Sequence, residues 1–508
     1  MSDDSVRTAL RSDAPLVVVE APAGCGKTHQ GADYAREKAV AIGPNRLLIL
    51  THTHAACSVF SDRTKTAGSR VEIRTIDSAI AQIASAYHTG LGLPADTAAW
   101  LRLRGDKGYP ELALKVASLL KRHPMIATSL AQRYPIIICD EYQDSSGDQH
   151  SVVMALLDQG AWLRMFADPM QNIFSERAVA GACPPCDWNK LTGQAQAFER
   201  LDTPHRWSTG CPELGFWTLK ARSALMAGDK IDLRSGLPPS VYVIFAENQA
   251  RRNLEYQLSG QDRKRVDQFE QSESSLLILT RYNQTARSFR GFFNRRIQLW
   301  EGHTRSGLEK LAASIQDSQG NPEALAGAVV TFIGDVGKGF SPSAFGDRFE
   351  QEAREGCTQI RRGKSVKIQE LARFLVAEAD HRGVAKMLRR LSELKNTDGD
   401  FADIEMDYRR EFWDGVRLGD LDTVDAGLAE ITHRRTYSRP KPPEKAISTI
   451  HKAKGLECGS VIVMPCDGST FPDKLDARCL LYVALSRAKS RLLLVLSRNN
   501  PSPLLLTI

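Results

Sequence analysis

The feature that most constrains this chain is a short apolar run that feeds a glycine loop. Leu16–Glu20 (LVVVE) leads into Ala21-Pro22-Ala23-Gly24-Cys25-Gly26-Lys27-Thr28, and a helical pattern follows from Lys27. A β-branched run of this length, bounded by glycine, reads as a buried parallel strand. A small-residue loop between strand and helix turns backbone N–H groups and the helix N-terminus toward an anion, normally phosphate. Lys27 would reach the outer phosphates and Thr28 would offer its hydroxyl to Mg2+. The context carries this signal, because a Gly-Lys-[Ser/Thr] triplet turns up by chance in about a third of chains this long. The chain holds such a second triplet, Gly363-Lys364-Ser365, after Arg361-Arg362 and with no strand before it. It reads as a solvated basic turn.

Further strands are expected at residues 46–51, 71–75, 134–140 and 162–168, spaced by helical stretches. Such alternation implies a doubly wound parallel sheet. A second set at 240–245, 275–280, 460–464 and 491–496 suggests a second α/β lobe. The expected architecture is α/β: two parallel-sheet lobes, each interrupted by a mainly helical insertion. The boundaries read 1–78 with 134–235 for the first lobe, and 236–299 with 441–508 for the second. A short insertion covers 79–133. A polar, charged one covers 300–440, with 369–395 a basic amphipathic example. Arg439-Pro440-Lys441-Pro442-Pro443 reads as a stiff linker.

At 508 residues the chain needs several domains. A net charge of +7 is compatible with a polyanionic partner but spread thinly. No apolar run approaches the ~20 residues that span a bilayer. The N-terminus Met1-Ser2-Asp3-Asp4 has no signal-peptide pattern, so a cytoplasmic location and no membrane partner are expected. The ten cysteines are scattered and read as reduced thiols. Cys183-Pro-Pro-Cys186 has metal-ligand spacing but lacks a second pair, so a proline-stiffened loop is the reading.

The second chemical element is Asp140-Glu141-Tyr142-Gln143-Asp144, at the end of an Ile-Ile-Ile-Cys strand. Acids at the carboxyl end of a parallel strand face the ligand crevice. Asp140 would hold Mg2+, and Glu141 would orient or deprotonate water. From here the chain resembles superfamily 1 DNA helicases of the UvrD/Rep type. The resembling segments, in family order, are the loop at 21–28, Leu50-Thr51-His52-Thr53-His54-Ala55-Ala56, Arg74-Thr75-Ile76-Asp77-Ser78, the acidic box, Ala167-Asp168-Pro169-Met170-Gln171-Asn172-Ile173-Phe174 and Pro204-His205-Arg206-Trp207. In the second lobe they are Leu279-Thr280-Arg281-Tyr282-Asn283, Ser448-Thr449-Ile450-His451-Lys452-Ala453-Lys454-Gly455-Leu456-Glu457 and Leu481-Tyr482-Val483-Ala484-Leu485-Ser486-Arg487-Ala488. The two insertions match no known pattern.

The resemblance implies two RecA-like lobes, ATP and Mg2+ as ligands, and movement on single-stranded or partly duplex DNA, 3′→5′. It implies that Gln171 senses the outermost phosphate, that Arg206 and Arg487 contact it, and that His205, Gly455 and Glu457 line the nucleotide. Thr51, His52, Thr75, Phe174, Arg177, Thr449 and His451 would face the strand. The chain departs from the family at several points. His52 stands for a usual phenylalanine, and Ser175 and Glu176 for an arginine and an aromatic. His205 stands for a tyrosine on the adenine, and no glutamine precedes the loop in residues 5–20. These departures allow a second reading: a nucleotide-sensing regulatory subunit with little unwinding. The compact insertions resemble the helicase-like subunits of Gabija-type anti-phage systems, whose partner is an OLD-family nuclease; DNA repair is the other setting the resemblance allows. A plain metabolic kinase leaves the second-lobe arginine segments unexplained.

Overall fold

The computed structural model describes residues 2–507 apart from 105–106, 175–180, 247–249, 253–254, 301–305, 338–340, 405–410 and 438–442. The chain divides into two units, Met1–Gly302 with Pro440–Ile508, and His303–Arg439.

The larger unit carries two six-stranded sheets, and every strand pair in both is parallel. The strands of the first are β1 (Leu16–Glu20), β2 (Leu47–Thr51), β3 (Val71–Thr75), β4 (Ile136–Cys139), β5 (Trp162–Ala167) and β6 (Ala197–Arg200), in the order β3-β2-β4-β5-β1-β6. Side chains alternate along each strand, so successive residues enter different cores. Val17, Val19, Ile49, Ile138 and Phe166 pack on one side with the helices Ser2–Arg11 and Lys27–Ala41. Val18, Leu48, Leu50, Ile137 and Met165 pack on the other with Gly108–Arg122 and Gly147–Asp158. The helices of the 79–133 segment thus share the core of the first sheet. The order brings the carboxyl ends of β1, β5 and β4 together, and the segments that follow them carry the glycine loop 21–28, Asp168 and the acidic box.

The second sheet runs Gln298–Leu299, Lys445–Thr449, Leu276–Thr280, Cys458–Cys466, Ala488–Ser497, Val241–Ala246. Three of its features escaped the sequence reading. Lys445–Thr449 is a strand, so the segment from Ser448 begins at a strand's carboxyl end. Gln298–Leu299 pairs with it at the sheet edge. The helix Leu475–Leu485 is buried from Ala477 to Leu485. It has no polar face because both lobes cover it: its core includes Leu277, Val461 and Leu494 of the second sheet together with Ala23, Met170 and Trp207 of the first lobe.

The unit His303–Arg439 is helical among its described residues and has its own core, including Phe332, Phe349, Leu371, Leu388 and Phe412. Two expectations are corrected here. Gly363-Lys364-Ser365 is no turn: Gly363 is the N-cap of the helix Lys364–Ala377. The basic stretch 369–395 is two helices, Lys364–Ala377 and His381–Thr397, parted where the Asp380 carboxylate caps the second.

Candidate nucleotide site and strand-facing rim

β1 ends at Glu20, and the Ala21 N–H still donates to Ala167 O at 2.8 Å, which carries the start of the loop along β5. Gly24 and Gly26 take φ of +77° and +86°, open to glycine at little cost. Neither tolerates a side chain. A Cβ on Gly24 would stand 2.7 Å from Arg206 Cβ and from the Trp207 ring, and one on Gly26 3.1 Å from His205. Gly26 is the N-cap of Lys27–Ala41 and makes no side-chain cap; the His29 N–H turns back to Gly26 O at 3.0 Å, and the Lys27 and Thr28 N–H groups ahead of it are the ones placed to meet an anion. Between the two glycines, the Cys25 thiol is pushed up to about 12, by burial first and then by the Asp168 charge, so it stays protonated.

Lys27 meets the acidic box, its ammonium forming an ion pair with Glu141. Burial works against that ammonium, yet the Glu141 and Asp140 charges outweigh it and hold its pKa above the ordinary value. Burial would likewise raise Glu141, but Lys27 and Lys454 keep it well below the usual carboxylate range. Glu141 has φ +54°, a strained setting for a non-glycine residue, which turns its side chain back toward Lys27. Asp140 is 3% exposed, and burial pushes its pKa up to about 6 despite Lys27. Its Oδ1 is buried with no hydrogen-bond partner among the described residues. Such an orphan carboxylate oxygen, at the end of β4 with β5 between it and the strand that leads to Thr28, fits a hard cation such as Mg2+.

From there a chain of bonds crosses to the second lobe. Gln143 donates to Glu141 at 2.5 Å and accepts from the Asp168 N–H at 3.0 Å. Asp168, fully buried, accepts from Gln171 at 2.9 Å and from Arg222 at 2.7 and 3.0 Å. Arg222 also reaches Glu20 at 2.8 Å. Lys454 donates to both Asp144 oxygens at 2.6 Å and to Gln171 O at 2.7 Å. Burial pushes Asp144 up to about 6 even so. Gln171 is therefore engaged with Asp168 in this state.

The arginines differ from each other. Arg206 donates to Ser486 O at 2.6 Å, and its Nε lies 2.9 Å from Glu457. Arg487 is 2% exposed and donates to Val483 O, Leu456 O and Ser486 Oγ at 2.8–3.1 Å. It pairs with no carboxylate among the described residues, and burial, with Arg206 beside it, pushes its pKa down to about 10. Two further bonds join the lobes here. The Ala23 N–H donates to Tyr482 Oη at 2.8 Å, and Trp207 Nε1 donates to Ala488 O at 2.7 Å. Trp207 is thus core and Phe174, half exposed, is not.

The residues expected to face a nucleic-acid strand are less uniform. Phe174 lies 6.3 Å from the His451 ring, with Lys454 Nζ 4.9 Å from its own ring. Thr51, Thr75 and Thr449 are buried at strand ends, and Thr75 caps the helix Ile76–Ala86. His52 turns inward to Ser145 Oγ at 3.1 Å, and burial lowers its pKa to about 4. Arg177, like Ser175 and Glu176, lies outside the described residues. Gly455 takes φ +83° just before Glu457, which pairs with Arg206 and Lys489. Sequence reading missed Lys454, Arg222, Tyr482 and Asp144 as parts of the site. All four lay within or beside motif segments or in an apolar helix, and only their partners across the fold distinguish them. The Cys183–Cys186 loop lies over the helix Gly147–Asp158, where Cys183 N–H donates to Asp148 at 3.1 Å. No cluster of three or more His, Cys, Asp or Glu side chains suited to a metal occurs among the described residues.

Two family models match the chain: the UvrD/REP helicase N-terminal domain over residues 95–180 and the UvrD-like helicase C-terminal domain over 446–495. The first spans Asp140, Glu141 and Gln171, and the second spans Lys454 and Arg487. The phosphate loop and Arg206 fall outside both. No curated protein matches the chain significantly.

Proposed function

Because the chain belongs with the UvrD/Rep-type superfamily 1 helicases, we propose that it binds ATP with Mg2+ at residues 21–28, hydrolyses it between two RecA-like lobes and moves 3′→5′ on single-stranded DNA. In this reading residues 1–78 with 134–235 form one motor lobe and 236–299 with 441–508 the other, with 79–133 and 300–440 as insertions. The observation that carries it is Arg487: a buried guanidinium bonded, among the described residues, only to neutral oxygens has an unmet need for an anion. It belongs to the second lobe, whereas Lys27 and the acidic box belong to the first.

The protein's part in phosphoryl transfer is positioning and charge neutralisation. A triphosphate on the loop competes with Glu141 for the Lys27 ammonium. Glu141, held ionised, is then free to accept a proton from the attacking water. Thr28 and Asp140 would hold Mg2+, which screens the phosphate charge. Arg487 and Arg206 stabilise the charge that develops on the transferred group. Lys454 ties Asp144 and the Gln171 carbonyl to the Phe174 ring, so a shift at the phosphates is felt at the strand-facing rim. The test is ATP hydrolysis by the purified chain with and without single-stranded DNA. Stimulation by DNA that disappears in Lys27→Ala supports the reading; hydrolysis indifferent to both ends it. Displacement of streptavidin from 3′- or 5′-labelled strands reports the direction.

The inward turn of His52 favours a second reading, in which the motor works mainly as a nucleotide-sensing subunit of a nuclease complex, as in anti-phage defence. Co-purification with a nuclease and no separation of tailed duplexes would support it, and processive unwinding by the isolated chain would exclude it.

A further inference from the structure

The family's usual base-reading glutamine has no counterpart upstream of the loop, yet the fold brings other polar groups to the same flank. Lys27, Asp140 and Glu141 mark the outer-phosphate end of the proposed site, toward β5 and β4; the other flank of β1 is β6, and the segment after β6 carries His205 to Gly26. There the His205 ring stands 3.1 Å from where a Gly26 Cβ would be. Its Nε2 lies 2.7 Å from Asp3 Oδ2. The other Asp3 oxygen, Oδ1, is buried and has no hydrogen-bond partner among the described residues. Asp3 is held in place. Its carbonyl accepts from the buried Gln30 amide at 3.4 Å, its neighbour Ser2 bonds to Asp202, and Val6 and Leu10 of its helix pack in the core with Ala32 and Ala35.

We propose that Asp3 is the specificity-determining residue for the base, selecting purines whose edge donates hydrogen bonds. This rests on the nucleotide site proposed above. A carboxylate only accepts, whereas a glutamine both donates and accepts. Adenine offers its 6-amino group and guanine two adjacent N–H groups; unsubstituted purine offers none. The site therefore takes both ATP and GTP and turns away a purine with a bare edge. If Asp3 served only to hold His205, its loss would weaken all purine nucleotides alike.

The experiment compares kcat/KM of the full chain for ATP, GTP and purine riboside triphosphate. Wild type is expected to favour the first two over the third by about tenfold or more, the range of one charge-assisted hydrogen bond. Asp3→Ala should bring the three within about twofold of one another, whereas His205→Ala should lower all three by a similar factor. Asp3→Asn keeps the shape and one acceptor, so its ratio should fall between wild type and Asp3→Ala; it also serves if Asp3→Ala folds poorly. An unchanged ratio in both Asp3 variants, with Lys27→Ala inactive on all three substrates, overturns the role of Asp3 alone. Hydrolysis that survives Lys27→Ala overturns the phosphate site, and this proposal with it.

Discussion

Two Gly-Lys-[Ser/Thr] triplets in this chain open helices of nearly equal length, Lys27–Ala41 and Lys364–Ala377. In both, a glycine with positive φ is the N-cap and makes no side-chain cap, +86° at Gly26 and +58° at Gly363. Locally they share a positive-φ glycine cap, although ψ differs, 12° at Gly26 and −142° at Gly363. Their surroundings differ more. Gly26 follows a parallel strand in a sheet that delivers Asp168 from the adjacent strand, and Asp140 and Glu141 from the strand beyond it, to the same end. Lys27 is half-buried and ion-paired with Glu141. Gly363 follows irregular chain, nothing stands within 4 Å of where its Cβ would be, and exposed Lys364 donates to Asp400 O at 2.5 Å. A helix N-terminus costs three residues of sequence; a site needs a sheet to bring opposed charges to it.

The sharpest way to break this comparison is to remove each lysine. Lys27→Ala should lower DNA-stimulated ATP hydrolysis at least about a thousandfold, and Lys364→Ala should leave it within about twofold, both read from steady-state phosphate release. Next in size is Arg487→Ala, expected to lower kcat by about 10²–10³ while nucleotide affinity changes much less. An equal loss in affinity would mean that Arg487 only shapes the fold. The glycines extend the contrast. Gly26→Ala should weaken binding of a fluorescent ATP analogue about tenfold or more, since it adds strain and pushes on His205. Gly363→Ala should cost about 1–2 kcal/mol in a urea melt and leave hydrolysis alone.

The smallest effect concerns His52. Its pKa in the folded chain, about 4, lies below the unfolded value of 6.5. Its contribution to stability is therefore complete above pH 6.5 and is lost as pH falls toward 4. His52→Gln should flatten the fall in urea midpoint between pH 6.5 and 4. An unchanged slope would assign that pH dependence to other groups.

Much of the fold was legible because parallel strands buried on both faces leave unbroken apolar runs. The runs at 46–51, 134–140 and 162–168 correspond to β2, β4 and β5, with ends shifted by up to two residues. Lys445–Thr449 was not legible: it is short, opens with lysine and has a turn at either end, and its neighbours in the sheet make it a strand. In the site, Lys27, Asp140, Glu141 and Arg487 stood out because their residue types sit at the ends of recognisable runs. Arg222 did not, since nothing in Pro212–Ala227 marks one arginine as the partner of Asp168 and Glu20. Nor did Asp3, whose relation to His205 spans two hundred positions.

The sequence by itself determined most of the long apolar strands, where the glycine loop begins and which residues could hold charge there. These are local properties, set by backbone preference and by the spacing of apolar side chains. The tertiary structure alone decided which charges meet. It paired Lys27 with Glu141, left an Asp140 oxygen bare and Arg487 buried without a counter-ion among the described residues, and set Lys454 between the acidic box and Phe174. The physical reason is that electrostatic work falls steeply with distance and rises with burial, and neither quantity exists until the chain has folded.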